Sequence, residues 1–168
     1  MNKITFLLML TTTLACGQSV EELNKRRGFK NIRLDFTTDS IKGLIFEKEI
    51  QERNEFPAKL YRVEHPDYES IGGVKVKEIK LKSFQDQVYQ IQVITAKDPR
   101  IMQGLEKAYG RSTYSIRSET YYWKGDSVSL VYKGHGKNAI SLIYSSSRVH
   151  RLMMKDKTRK IEEVAEDF

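Results

Sequence analysis

The chain has one cysteine, three histidines and no apolar run as long as a membrane span. Each shortage removes a class of protein. A single cysteine, Cys16, cannot close an intrachain disulfide, so the fold must hold through apolar packing. His65, His135 and His150 stand far apart, without the spacing of a zinc site. The leading apolar run, Ile4 to Leu10, is far short of the about 20 residues that cross a bilayer. Also missing are a Gly-x-Ser-x-Gly elbow and any carboxylate pair set in an apolar context that would separate two pKa values. The residues present therefore indicate no cofactor and no catalytic group.

What the first residues do contain is an address. Lys3, then the apolar stretch, then small residues near Ala15 have the layout of a secretory signal peptide. Residues 1–17 are expected to direct export, and two ends of that segment stay open. Thr13-Leu14-Ala15-Cys16 approximates a lipoprotein signal, which would leave a lipid on Cys16. Ala15-Cys16-Gly17, with cleavage before Gln18, fits an ordinary signal peptidase and would remove the cysteine. The expected location is the periplasm or cell envelope.

Cleavage leaves about 150 residues, enough for one domain with a real core. The formal charge of +7 falls to +6 with the loss of Lys3. A basic balance can serve nucleic acid, but export argues against that partner and favours anionic envelope polymers or plain solvation. With 30% charged and 39% hydrophobic residues, the composition is that of an ordinary globular domain.

Residues 18–27 are polar and read as a short lead-in with room for one helical turn, and the domain proper is expected over 28–168. Ile32 and Leu34 alternate like a strand, and Thr37 to Ser40 offer helix caps before Ile41 and Leu44. The segment from Gln90 to Leu105 follows the same plan, so a strand–turn–helix duplication is expected. Its helix has clear ends. Asp98 caps it, Pro99 suits its first position, and Gly110 closes it after an apolar face of Ile101, Leu105, Ala108 and Tyr109.

Elsewhere the pattern is antiparallel sheet. The alternation of Val74 and Val76 changes parity at Ile79 and Leu81, which predicts a bulge near Glu78. Hairpin turns are expected at "SFQDQ", at Lys124-Gly125-Asp126 and at Gly134 to Asn138. A helix follows from about Val149. The fold class is thus α+β: a twisted antiparallel sheet of about five to seven strands with two or three helices packed on one face.

Several local motifs fail on context. His65-Pro66-Asp67 spells the tripeptide of J-domain co-chaperones but lies in extended chain rather than between two helices. His65, Asp67 and Glu69 alternate as metal ligands on a strand would, yet Pro66 weakens that strand and no second histidine is near in sequence. Gly134-His135-Gly136-Lys137 lacks the other positions of a phosphate loop and joins two strands.

The aromatic residues form the one positive feature. Tyr114, Tyr121, Tyr122, Trp123, Tyr132 and Tyr144 fall on strands that should be neighbours, with Tyr121 and Trp123 on one side and Tyr122 on the other. These rings either pack beneath the helices or line a shallow groove for a peptide, glycan or partner strand. The candidate binding surface is Tyr121, Trp123, Tyr132 and Tyr144.

The run "GFKNIRLDFTTDSIKGL", then "FQDQVYQIQVIT" with "LEKAYG", then "YYWKGDSVSLVY" and a closing "AEDF" resembles small exported proteins and lipoproteins of Gram-negative bacteria. More distantly the strand-and-helix units are similar to SmpA/OmlA-type envelope lipoproteins, which support outer-membrane assembly by binding other proteins. Those usually open with a helix pair, whereas this sequence reads as opening with a strand. The resemblance implies an envelope location and supplies no catalytic residues. The expected function is a non-catalytic binding or assembly module whose partner is an envelope protein, peptide or glycan. The alternatives are an envelope-polymer hydrolase with a site scattered through the sequence, or an inhibitor or immunity-type protein.

Overall fold

The computed structural model describes residues 18–168, so Cys16 and both cleavage points lie outside the described residues. Helix α1 (Gln18–Arg26) comes first, followed by the short hairpin β1 (Gly28–Phe29) and β2 (Ile32–Arg33). Nine strands then make the main sheet: β3 (Leu44–Glu52), β4 (Phe56–Val63), β5 (Ser70–Ile71), β6 (Val74–Phe84), β7 (Gln87–Ala96), β8 (Thr113–Ser115), β9 (Thr120–Lys124), β10 (Val128–Gly134) and β11 (Ala139–Ser146). Helix α2 (Pro99–Tyr109) follows β7, and helix α3 (Ser147–Ala165) ends the chain. The path across the sheet is β3-β4-β6-β7-β11-β10-β9-β8, with β5 attached to β6 and every pairing antiparallel.

The α+β class holds, with more strands than expected. β5 and β8 are short and β3 is mostly exposed, so alternation does not mark them. β4 buries Phe56, Ala58, Tyr61 and Val63 at a spacing that breaks the period of two between Ala58 and Tyr61. β3 is the instructive case, because a helix was expected there. Thr38–Ser40 form only a three-residue 3-10 turn, and Thr37 makes no side-chain cap. The chain then extends as a sheet-edge strand, with Ile45 and Phe46 open to solvent. The strand–turn–helix unit is therefore used once, at β7–α2, and is not repeated.

The parity change at Glu78 is a register shift between Val76 and Glu78 against Ile94 and Thr95. The "SFQDQ" turn places Gln85 and Asp86 at positive φ, 48° and 59°, as a two-residue hairpin requires. In α2, the Asp98 carboxylate accepts from the Arg100 amide, and Gly110 leaves the helix at φ 77°.

The helices divide between the faces of the sheet instead of sharing one. The front core joins Leu23 of α1 and Ile101 and Tyr109 of α2 to Ile79, Leu81, Ile91, Val93, Leu130 and Leu142. The back core sets Val149 and Met153 of α3 against Phe56, Ala58, Phe84 and Tyr89. The alternation of strand side chains separates the two sets. A β-bulge at Tyr89, where Lys82 pairs with Gln90 and Ser83 with Val88, turns that ring to the back.

The polar lead-in is helix, not loose chain, and the described chain opens with it. Leu23 is fully buried. Asn24 pins α1 to the β9–β10 turn by donating to Asp126 at 3.0 Å and accepting from the Asp126 amide at 2.9 Å. That approach requires Gly125, where a Cβ would stand 2.2 Å from the Asn24 Oδ1.

Candidate functional site: a tyrosine ladder on the sheet

The four residues of the expected binding surface do share the front face, but only two of them reach solvent. Leu130 pairs with both Trp123 and Tyr144, and Tyr132 with both Tyr121 and Leu142, so one side of the sheet carries all of them. Tyr122 faces the other way.

Trp123 and Tyr144 belong to the core, each 3% exposed. The Trp123 indole donates to the Gly110 carbonyl at the end of α2. Burial pushes the Tyr144 hydroxyl well above its ordinary value, and its neighbour Tyr109 adds to that. Tyr144 is thus a neutral hydroxyl packed beneath α2.

Tyr121 and Tyr132 form a second, outward group with Tyr114. Tyr114 pairs with Tyr121 and Tyr121 with Tyr132, so three rings cross β8, β9 and β10 in a single row. Centroids lie 4.8 Å apart for the outer pair, at a tilt of 45°, and 6.0 Å apart, edge to face, for the inner pair. Such contacts contribute about 0.5–1.5 kcal/mol each beyond area burial. Exposure rises outward, from the half-buried Tyr132 through 37% at Tyr121 to 48% at Tyr114. Ile116, just past β8, is exposed and extends the apolar character of that edge. Burial, with a smaller effect of Tyr121, lifts the Tyr132 pKa. At neutral pH this hydroxyl is a neutral donor and acceptor and not a base.

The row is a platform, with ring faces and edges for apolar or stacking contact and hydroxyls for hydrogen bonds. The sequence already set Tyr121 and Tyr132 in the candidate surface. It did not add Tyr114 to the site, because a three-residue strand shows no alternation of its own.

The rejected motifs have structural roles. His65 caps the 3-10 turn Pro66–Tyr68, its Nδ1 accepting from the Asp67 amide at 3.3 Å, and its ring lies 5.8 Å from that of Tyr68. Asp67 lies within that turn and Glu69 just after it, and neither is on a strand. The Gly134 to Asn138 segment joins β10 to β11, with the His135 amide donating to the Ala139 carbonyl. Among the described residues, no three His, Cys, Asp or Glu side chains gather as a metal site, and no helix is long and apolar enough to cross a membrane.

No family model, curated protein or solved structure matches this chain.

Proposed function

We propose that this chain is an exported cell-envelope protein that binds a partner through the tyrosine ladder without transforming it. It works either free in the periplasm or tethered by a lipid on Cys16. The observation that carries the reading is the row Tyr114–Tyr121–Tyr132, three rings set by strand register with two of them open to solvent. Tyrosine supplies large, rigid contact area at low entropic cost, which suits recognition. The partner class is an envelope protein, peptide or glycan. The basic surface supports affinity for anionic envelope material, and the resemblance to exported lipoproteins supports the location.

The test is capture from envelope extract by the wild type and by the double variant Tyr114→Ala/Tyr121→Ala. Trp123 is unsuitable for this purpose because its replacement would damage the core. The expected result is a loss of at least about tenfold in retained partner, with the thermal midpoint changed by only a few degrees. Equal capture by both proteins overturns the reading. Intact mass of the protein recovered from the envelope separates the two forms of the N-terminus.

A further inference from the structure

A second concave feature lies between α2 and the N-terminal hairpin, a cleft of about 380 Å³. Helix α2 contributes Ile101, Leu105 and Ala108, while Phe29, Ile71 and Val74 come from β1 and the β5–β6 turn. Tyr144 of β11 and Tyr109 of α2 also line it. Their rings add apolar area to the wall on the side of Arg26. Gly104 stands in the middle of α2 on the same cleft, and a Cβ added there would meet no atom within 4 Å. A glycine weakens a helix at such a place, and here it leaves room.

The charges at this cleft have one sign. Arg26, Lys30 and Arg100 line it, and no acidic residue does. Four other surface cavities each mix acids with bases. The three cations are oriented from outside the cleft. Arg26 pairs with Glu22 at 2.6 Å, Arg100 with Asp98 at 2.8 Å, and Lys30 donates to the Asp67 carbonyl. A guanidinium has five N–H donors, so one carboxylate partner leaves others for a ligand.

Apolar walls, a small volume and an all-cationic rim fit one chemistry. We infer that the cleft binds a single-chain anionic amphiphile, a long-chain carboxylate, with its tail against the apolar wall of α2 and its head at the cationic rim. The volume lies near the lower end of the about 300–1,000 Å³ typical of small-molecule sites, which suits one chain. The site shares no residue with the tyrosine ladder and stands or falls separately from it.

The experiment is calorimetric titration of the purified protein with octanoate, decanoate and laurate below their micelle concentrations, beside dodecanol and dodecyltrimethylammonium. Laurate is expected to saturate one site, with affinity rising about fourfold per added methylene. Dodecanol should bind about tenfold more weakly and the cationic amphiphile no better than dodecanol. Gly104→Phe, which fills the cleft, should cost laurate at least about tenfold. Should that variant melt early, Lys30→Gln/Arg100→Gln supplies a separate reading: the preference for laurate over dodecanol should shrink while dodecanol affinity holds. Failure of laurate to bind, unchanged laurate binding by a folded Gly104→Phe protein, or equal affinity for the cationic amphiphile overturns the inference.

Discussion

The indole Nε1 of Trp123 donates a 2.7 Å hydrogen bond to the carbonyl oxygen of Gly110, tying the end of α2 to β9. One contact thus fixes where the helix leaves the sheet and closes the front core over Leu130 and Tyr144. Trp123→Phe keeps most of the apolar area and loses the bond, so it should cost about 1 kcal/mol. Trp123→Ala also leaves a cavity and should cost about 3–5 kcal/mol. Urea midpoints measure both, and a Trp123→Phe cost near zero would mean that the bond contributes nothing.

Asp35 links the N-terminal hairpin to the start of α3. Its carboxylate is paired with Arg27 and accepts from the Ser146 hydroxyl, and Ser146 in turn caps α3 by accepting from the Val149 amide at 3.2 Å. The Asp35 side chain is only 7% exposed and its backbone holds φ 68°. Asp35→Ala removes both partners and puts alanine at a left-handed φ, for an expected cost of about 3 kcal/mol. Asp35→Asn tolerates that φ and can still accept from Ser146, so its cost should be about 1 kcal/mol. Chemical denaturation of the pair checks the order.

Glu52 gives the protein an acid-sensitive contact on the back face. Burial raises its pKa, but hydrogen bonds from Lys82 at 2.7 Å and Tyr89 at 2.8 Å outweigh burial, and the net position is below the ordinary 4.5. A carboxyl depressed by folding stabilises the native state above its unfolded pKa, and that contribution is lost as pH falls through the folded value. At neutral pH, Glu52→Gln should cost about 1 kcal/mol. The gap between variant and wild type should close between about pH 5 and about pH 3. A gap independent of pH would mean that the carboxylate charge is irrelevant.

Gly104→Ala should stabilise the protein. The added methyl meets open space, and the helix gains a better former, worth about 0.5–1 kcal/mol. A rise of about 1–4 °C in thermal midpoint is the expected result. A fall would show that the cleft wall has less room than the backbone implies.

The parts legible in the sequence were those fixed by neighbours along the chain. Asp98, Pro99 and Gly110 marked the ends of α2, and the parity change around Glu78 marked a bulge, because capping and pleating act over a few residues. β3 was not legible. As an edge strand it buries little, so its apolar residues carry no period, and the polar caps at Thr37 to Ser40 suggested a helix instead. Helix α1 was obscured for the opposite reason, since its place depends on the single buried Leu23 and on Asn24 meeting a turn 102 residues away. The candidate site divides the same way. Parity put Tyr121 and Trp123 on one side of their strand, but strand register decides that Tyr132 and Tyr144 join them, and which rings are covered depends on where the C-terminus of α2 comes to rest. The cleft draws its walls from separate stretches of chain, and its one sequence hint was a glycine inside an otherwise strong helix.

An open sheet this wide has two margins where copies of the chain could stack into fibres. The β3 margin carries exposed Glu47, Lys48 and Glu49, with an irregular register between Phe46 and Lys48 that breaks the row of free amides and carbonyls. The β8 margin is three residues long. Charge and bulge guard one side and brevity guards the other, so neither margin offers a long free template for another strand.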